Sequence, residues 1–375
     1  LHFEPYPFEK LSALLKNLTP NPQYEAVNLT IGEPQFETPL FIQNALSENC
    51  ALLNKYPKSA GEAYVNEAQR AFVEARFGVR LKASELICTF GTREVLFNFP
   101  QFLLHDKPTP VMAYTNPFYQ IYEGAAIASR AKVVHLNLTP QNAFKPDITI
   151  PQLKEADLII LNFPNNPTTS VLSKEELGEW VKFALKYDIV LLNDECYSEI
   201  YVDEKPPSLL EASLHVGNET FKNVLVINSI SKRSSAPGLR SGFIAGDEKI
   251  LSAYAKYRTY VGASIPLPLQ KASALAWSDM EHVETTRQEY AKNLHLAATI
   301  LGVDAIASTF YVWLHVGDDL AFTCKLFEQK NIKVLPGRFL GRGGMGDGFV
   351  RIALVENSQK TERVLKEIQA VRNSF

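Results

Sequence analysis

The sequence predicts an α/β fold, with a large domain built on a mostly parallel sheet between helices and a smaller α+β domain beside it. Two observations carry this expectation. From about residue 85 to 230, short apolar runs of strand length alternate with amphipathic helical patterns, the grammar of parallel strands joined by covering helices. After about residue 280 the alternation gives way to one long polar-rich helix, three short apolar segments and a final helix. The large domain is therefore expected over 31–284. The smaller one is expected from 285–375 together with 1–30, because the arm containing NPQYEAVNLTIGEP has no core of its own.

Taken in order, ELICTF (85–90) predicts a strand that runs into the helical stretch GTREVLFNFPQFLL, and PVMAYTNP a second strand before FYQIYEGAAIAS. ADLIILNFP (156–164) predicts a buried strand. Ser173 and Glu176 follow at capping-box spacing, opening a helix that places Leu177, Val181, Ala184 and Leu185 on one face. IVLLND (189–194) closes that βαβ unit, and Val224 to Ile227 form the strand before a loop dense in serine, proline and glycine. Beyond it come a helix over 279–301, the short segments FYVWLHV, NIKVLPG and FVRIALV, and a helix over about 357–372. The Gly-rich GRGGMGDG (341–348) lacks the G-K-[ST] ending of a phosphate loop and reads as a mobile surface loop.

Composition narrows the partner class. Across 375 residues, 38 Lys and Arg stand against 41 Asp and Glu with no long run of one sign, so nothing marks a nucleic-acid surface. A small-molecule partner fits better. Cys50, Cys88, Cys196 and Cys324 lie far apart with no C-x-x-C pair, which predicts neither a metal site nor a disulfide framework but reduced thiols in a cytoplasm. No apolar run reaches the length of a membrane span, and LHFEPYPFEK lacks the apolar core of a signal peptide. The chain starts at Leu1, so an initiator methionine or short leader is expected before it.

In open α/β sheets the ligand sits beyond the carboxyl ends of the strands. The loops there carry Gly91, Thr92 and Arg93; Pro117, Phe118 and Tyr119; Asn166 in PNNPT; Asp194 and Tyr197 in DECY; and Ser229, Lys232 and Arg240. Gly91-Thr92-Arg93 opens a helix, where free N–H groups and the positive dipole end favour a phosphate. Ser229 adds a hydroxyl, and Arg240 a guanidinium suited to a phosphate dianion. Each residue alone has an ordinary reading: a lysine in a turn, a strand-end Asp as a helix cap, a Tyr after Pro as core. Together and in order, a lysine amine, a carboxylate and a flat aromatic beside a phosphate cup are the parts that hold pyridoxal 5′-phosphate.

These residues also carry a resemblance. FPNNPT (163–168), NDECY (193–197), SISK (229–232) and GLRSG (238–242) are similar to the class I/II, fold-type I, pyridoxal-phosphate aminotransferases, over nearly the whole chain. PYPFEKL, NPFYQIYEGAA, DECYSEIYVDE, SKRSSAPGLRSGFIAGD, YRTY and FVRIALV most resemble the succinyldiaminopimelate aminotransferase branch of lysine and peptidoglycan precursor synthesis. The resemblance implies Lys232 as the Schiff-base lysine, Asp194 as partner of the pyridinium nitrogen, and Tyr197 with Asn166 as donors to the phenolic oxygen. It implies Tyr119 stacked on the ring, and Thr92, Arg93, Ser229 and Arg240 around the phosphate. Tyr56 would reach the phosphate of a neighbouring subunit, giving a homodimer with shared active sites. Arg351 would clamp the substrate α-carboxylate, with Gly32 giving a backbone contact to the same group.

Two positions depart from the family pattern. Thr169 stands where glycine usually follows P-N-N-P-T, and the Gly91-Thr92-Arg93 triplet differs from that of many relatives, which leaves the backbone argument for phosphate intact. The implied reaction moves an amino group from an amino acid, N-succinyl-LL-2,6-diaminopimelate, to 2-oxoglutarate in two half-reactions with ping-pong kinetics. An aspartate or other amino-acid aminotransferase, and a C–S β-lyase on the same fold, stay open as alternatives. Arg258, Tyr260 and Arg338 are the candidate readers of a distal succinyl carboxylate.

Overall fold

The structure is a computed structural model and describes residues 2–375. Its centre is a seven-stranded sheet. In spatial order the strands are Leu86–Thr89, Gly242–Gly246, Val224–Ser229, Val190–Asp194, Leu158–Leu161, Val111–Asn116 and Lys132–Asn137. Gly242–Gly246 runs antiparallel to both of its neighbours, and the other pairings are parallel. Two of these strands were not anticipated. Lys132–Asn137 is a half-exposed edge strand opening with a lysine, and Gly242–Gly246 is a short glycine-bounded run directly after the lysine loop.

The apolar runs of the sequence become strands because both sheet faces are covered, so inward and outward positions are equally apolar. Ala113, Ile159, Leu161, Leu191 and Val226 face one core with the helices Ala63–Phe77, Lys174–Tyr187 and Leu267–Ser278. Met112, Leu158, Ile160, Leu192 and Ile227 alternate with them onto the other face, against the helices Thr92–Leu104, Ile121–Ala128 and Glu248–Val261. The Ser173 cap forms as the spacing predicts. Its Oγ accepts from the Glu176 amide at 3.2 Å, and Glu176 Oε2 accepts from the Ser173 amide at 2.8 Å.

The last third of the chain builds a three-stranded antiparallel sheet in the order Leu335–Pro336, Phe349–Ala353, Tyr311–His315. The helices Glu281–Leu301, Asp319–Lys330 and Ser358–Asn373 share its core. The N-terminal arm joins this part through a parallel pairing of Val27–Asn28 with Ile332–Lys333. The stretch 341–348 is not an unattached surface loop. Arg342 pairs bidentately with Glu123, its amide donates to Asn116 Oδ1 at 2.9 Å, and Leu340 O accepts from the Phe118 amide at 2.9 Å. These bonds anchor the loop to the end of strand Val111–Asn116 and to helix Ile121–Ala128. Among the described residues, no helix is long and apolar enough to cross a membrane.

Candidate active site

The strands Leu86–Thr89, Val111–Asn116, Leu158–Leu161, Val190–Asp194 and Val224–Ser229 all point their carboxyl ends to one edge of the sheet. A cavity of about 1060 Å³ opens there. Its walls include Gly32, Thr92, Arg93, Tyr119, Asn166, Asp194, Tyr197, Ser229, Lys232, Arg240 and Arg351, so residues from both ends of the chain converge on one space. Gly91 sits behind this wall against Arg240. Tyr56 does not line the cavity. Its side chain is fully exposed on this chain.

Lys232 lies in a single helical turn, Ile230–Arg233, directly after the strand Val224–Ser229. Ser229 caps that turn, accepting from the Ser231 amide at 3.1 Å. The Lys232 side chain is half-buried on the cavity wall, and its amine donates to the carbonyl of Gly32. Burial lowers its pKa, which raises the share of neutral, nucleophilic amine. Gly32 is required by close approach, since a Cβ there would collide with the Tyr311 hydroxyl.

Asp194, at the end of its strand, is buried and accepts from Tyr122 Oη and from the Cys196 amide, both at 3.2 Å. Burial raises its pKa, and no ion pair involves it among the described residues. A buried carboxylate without a cation is costly unless a ligand supplies one. Tyr197 Oη lies 3.0 Å from Tyr311 Oη. Asn166 Oδ1 accepts from Arg351 Nη1 at 2.8 Å, and Arg351 Nη2 donates to Thr30 O at 2.7 Å. The Arg351 guanidinium lies 4.4 Å over the Tyr311 ring, and its buried Nε has no partner. The guanidinium as a whole lines the cavity and is held there by two anchors, a fixed positive charge for an anion.

Gly91 caps the helix Thr92–Leu104 with φ of 72°, a left-handed conformation that disfavours side chains, and an added Cβ would strike Arg240 Nη2. The helix N-terminus, Arg240, Ser229 and Ser231 thus meet at one corner of the cavity, with Arg240 Nη1 donating to Pro237 O at 2.8 Å. Burial lowers the pKa of Arg240, and nearby Arg93 adds to the effect. Two cations at one corner match a multiply charged anion. Arg93 itself, on the cavity wall, donates from Nε to Tyr119 Oη at 2.8 Å. Thr169 adopts φ of 68°, the left-handed conformation a glycine would hold without strain.

The three candidate readers of a distal carboxylate are not on the cavity wall. Arg258 is almost wholly buried and forms a bidentate pair with Glu94, at 2.6 and 3.0 Å, with further bonds to the carbonyls of Ser59, Cys88 and Ala263. It ties the helix Glu248–Val261 to the start of helix Thr92–Leu104. Tyr260 points to solvent, and Arg338 is engaged by Asp319 at 2.8 Å. Sequence reasoning missed Tyr122, Asn162 and Tyr311. Asn162 donates to Asp194 O at 3.0 Å and accepts from the Asn166 amide at 3.0 Å, joining the ends of two strands. Each of these residues reads as ordinary core, and only the spacing of Tyr122 three residues beyond Tyr119 on one helical turn offered a signal. Among the described residues, no group of three or more His, Cys, Asp or Glu is gathered to hold a metal.

Residues 24–368 match the family model for aminotransferase class I and II. The chain is 31% identical over 361 residues to an LL-diaminopimelate aminotransferase of Natranaerobius thermophilus, covering 92% of this chain and 91% of that one. Among solved structures it is similar to aminotransferase AspB of Helicobacter pylori, at 52% identity over 100% of both chains with a TM-score of 0.98. An aminotransferase of Neisseria meningitidis follows at 37% identity, covering 99% and 98% of the two chains, with a TM-score of 0.94.

Proposed function

Because the chain belongs to the class I and II aminotransferases, which use pyridoxal 5′-phosphate, we propose that its amino donor is N-succinyl-LL-2,6-diaminopimelate and its acceptor 2-oxoglutarate. The observation that carries this reading is the size of the cavity. It extends from Lys232 and Arg351 past Arg93 to Tyr6, Phe97 and Tyr257, which gives a long donor room beyond its reacting end. The relatives named for LL-diaminopimelate support a donor with a diaminopimelate backbone.

When bound, the cofactor ring takes up the electron pair left when the donor's Cα–H bond breaks. The residues fit that cofactor: an amine with lowered pKa, a buried carboxylate that lacks a cation, and a cationic corner at Gly91 and Arg240. In this reading Asp194 holds a proton on the ring nitrogen, and Tyr122 and the Cys196 amide hold Asp194. Asn166 and Tyr197, also on the cavity wall, would orient the ring oxygen. Arg351 presents its guanidinium charge to the donor's α-carboxylate while Asn166 and Thr30 fix the guanidinium plane. Lys232 would hold the cofactor, and its amine would be the base that takes the proton from the donor's Cα, a transfer worth about 10²- to 10⁴-fold.

We assign the cofactor to a lobe spanning 31–284, with 1–30 and 285–375 forming the lobe that brings Arg351. A homodimer in the cytoplasm, with Tyr56 serving the neighbouring subunit's phosphate, completes the reading, and the solvent-facing position of Tyr56 supports it. Lysine and diaminopimelate biosynthesis is the corresponding place in metabolism.

The experiment is a donor panel with 2-oxoglutarate. Catalytic efficiency with N-succinyl-LL-2,6-diaminopimelate is expected to exceed that with aspartate by at least tenfold, about 1.4 kcal/mol. Equal or better efficiency with aspartate would move the protein to the aspartate aminotransferase reading.

A further inference from the structure

Two residues beyond Lys232, a second constellation lies outside the cavity. Ser234 Oγ is 2.8 Å from His282 Nε2, and His282 Nδ1 contacts Asp279 Oδ1. The carboxylate can only accept, so Nδ1 carries the ring proton, and a neutral ring then accepts the Ser234 hydroxyl proton at Nε2. Burial lowers the His282 pKa and favours that neutral form. The order serine, histidine, aspartate is that of a nucleophilic triad. It is not one here, because Ser234 is completely buried and does not line the cavity, so no substrate carbonyl can reach its Oγ.

What the chain of bonds does reach is the lysine turn. Ser234 follows Ile230–Arg233, and its amide donates to Ile230 O at 2.9 Å, closing the turn that carries Lys232. His282 lies in the first turn of the helix Glu281–Leu301, whose core residues pack with the smaller sheet. Arg233 runs alongside and donates to Asp279 O at 3.2 Å. The charged groups facing His282 are therefore Asp279 and Arg233, with Glu199 and Arg76 behind Arg233. The helix Leu40–Glu48 contributes only the Phe41 ring, edge-on at 5.4 Å.

We infer that Asp279, His282 and Ser234 form a positioning chain that sets the orientation of Lys232 and couples it to the entry of helix Glu281–Leu301. This inference rests on the reading of Lys232 as the cofactor lysine. Ser234→Ala removes one oxygen and is not expected to threaten folding, whereas His282→Ala leaves a larger gap, so both are made, with their double variant and His282→Gln.

The test uses holoenzyme and three readouts: the pH midpoint of the visible cofactor band, kcat and KM separately, and hydrogen exchange of segment 230–236. Ser234→Ala and His282→Ala should each move the midpoint by about half a pH unit or more. Each should lower kcat about tenfold with KM within about twofold, and speed exchange in the turn. The double variant should be no worse than the worse single one. His282→Gln supplies a side-chain carbonyl able to accept from Ser234, and should restore much of the loss seen in His282→Ala. Wild-type midpoints in both single variants, or effects that simply add, would overturn the inference. Borohydride treatment separates the two failures. If wild-type enzyme is not modified at Lys232, the reading of the lysine fails. If it is modified and the variants behave as wild type, the positioning chain fails.

Discussion

Arg351 shows how one side chain serves as both fixture and tool. Two of its nitrogens bond Asn166 and Thr30 O, so the plane of the guanidinium on the cavity wall is set before any ligand arrives. Lysine in its place offers one point charge and cannot keep both anchors while facing the cavity. Arg351→Lys should therefore lower kcat/KM by about 1.5 to 3 kcal/mol for every donor alike, the range for a charged hydrogen bond. A loss confined to one donor would remove the α-carboxylate role. Arg93 is different, because its Nε is held by Tyr119 on the cavity wall and two roles compete for the rest of its guanidinium, the phosphate or the far end of a long donor. Arg93→Ala should weaken the succinylated donor by a similar amount, about 1.5 to 3 kcal/mol, and leave alanine within about twofold. If cofactor retention falls instead, Arg93 belongs to the phosphate.

At the scale of elements, the strand Val190–Asp194 delivers its catalytic candidate into a buried turn whose other carboxyl is easily overlooked. Glu195 Oε1 accepts from the Leu209 amide at 2.8 Å, from Asn193 Nδ2 at 3.1 Å and from Ser208 Oγ at 3.2 Å, pinning the strand end to helix Leu209–His215. Burial nevertheless pushes the Glu195 pKa up to about 8. A carboxyl whose pKa is raised on folding contributes stability that is full below its unfolded value near 4.5 and is lost as pH rises through the folded value. Glu195→Gln should keep the backbone bond and remove that dependence. Between about pH 5 and 8 the wild type should lose stability relative to the variant by up to about 1.4 kcal/mol per pH unit. Denaturant melts of both proteins across that range, with cofactor present, give the answer. Parallel slopes would show Glu195 ionised in the native state.

The same scale shows what could be read from the chain. Ser173 with Glu176, the βαβ alternation and the loop around Lys232 were legible because each is local, fixed by spacing within one turn or one strand. Arg258 was misread for the opposite reason. Its partner Glu94 lies 164 positions away, and YRTY alone cannot reveal a buried bidentate pair. Tyr122 and Tyr311 escaped because a site tyrosine and a core tyrosine carry the same local pattern. The anchoring of 341–348 likewise depends on Glu123 and Asn116, which no local motif connects to a glycine run.

For the whole molecule, Tyr56 decides whether one chain makes a complete site. Its side chain faces solvent and is absent from the cavity wall of its own chain, so in the proposed shared-site reading its phosphate contact is to the cofactor of another copy. Tyr56→Phe should weaken cofactor retention by about 0.5 to 1.5 kcal/mol for an ordinary hydrogen bond, or up to about 3 with a charged acceptor. Lys232→Ala should abolish multiple turnover by removing the amine itself. A heterodimer of these two variants, purified through two different tags, separates the geometries. If Tyr56 crosses the interface, the intact Lys232 of the Tyr56→Phe chain receives Tyr56 from the Lys232→Ala chain, and one wild-type site is rebuilt. Cofactor release from that site, followed by the visible band on dilution, should then match wild type. If Tyr56 acts within its own chain, the heterodimer holds one site without the tyrosine and one without the lysine, and release should match the Tyr56→Phe homodimer. That second outcome, or full activity in a monomer, would end the shared-site reading while leaving the chemistry at Lys232 untouched.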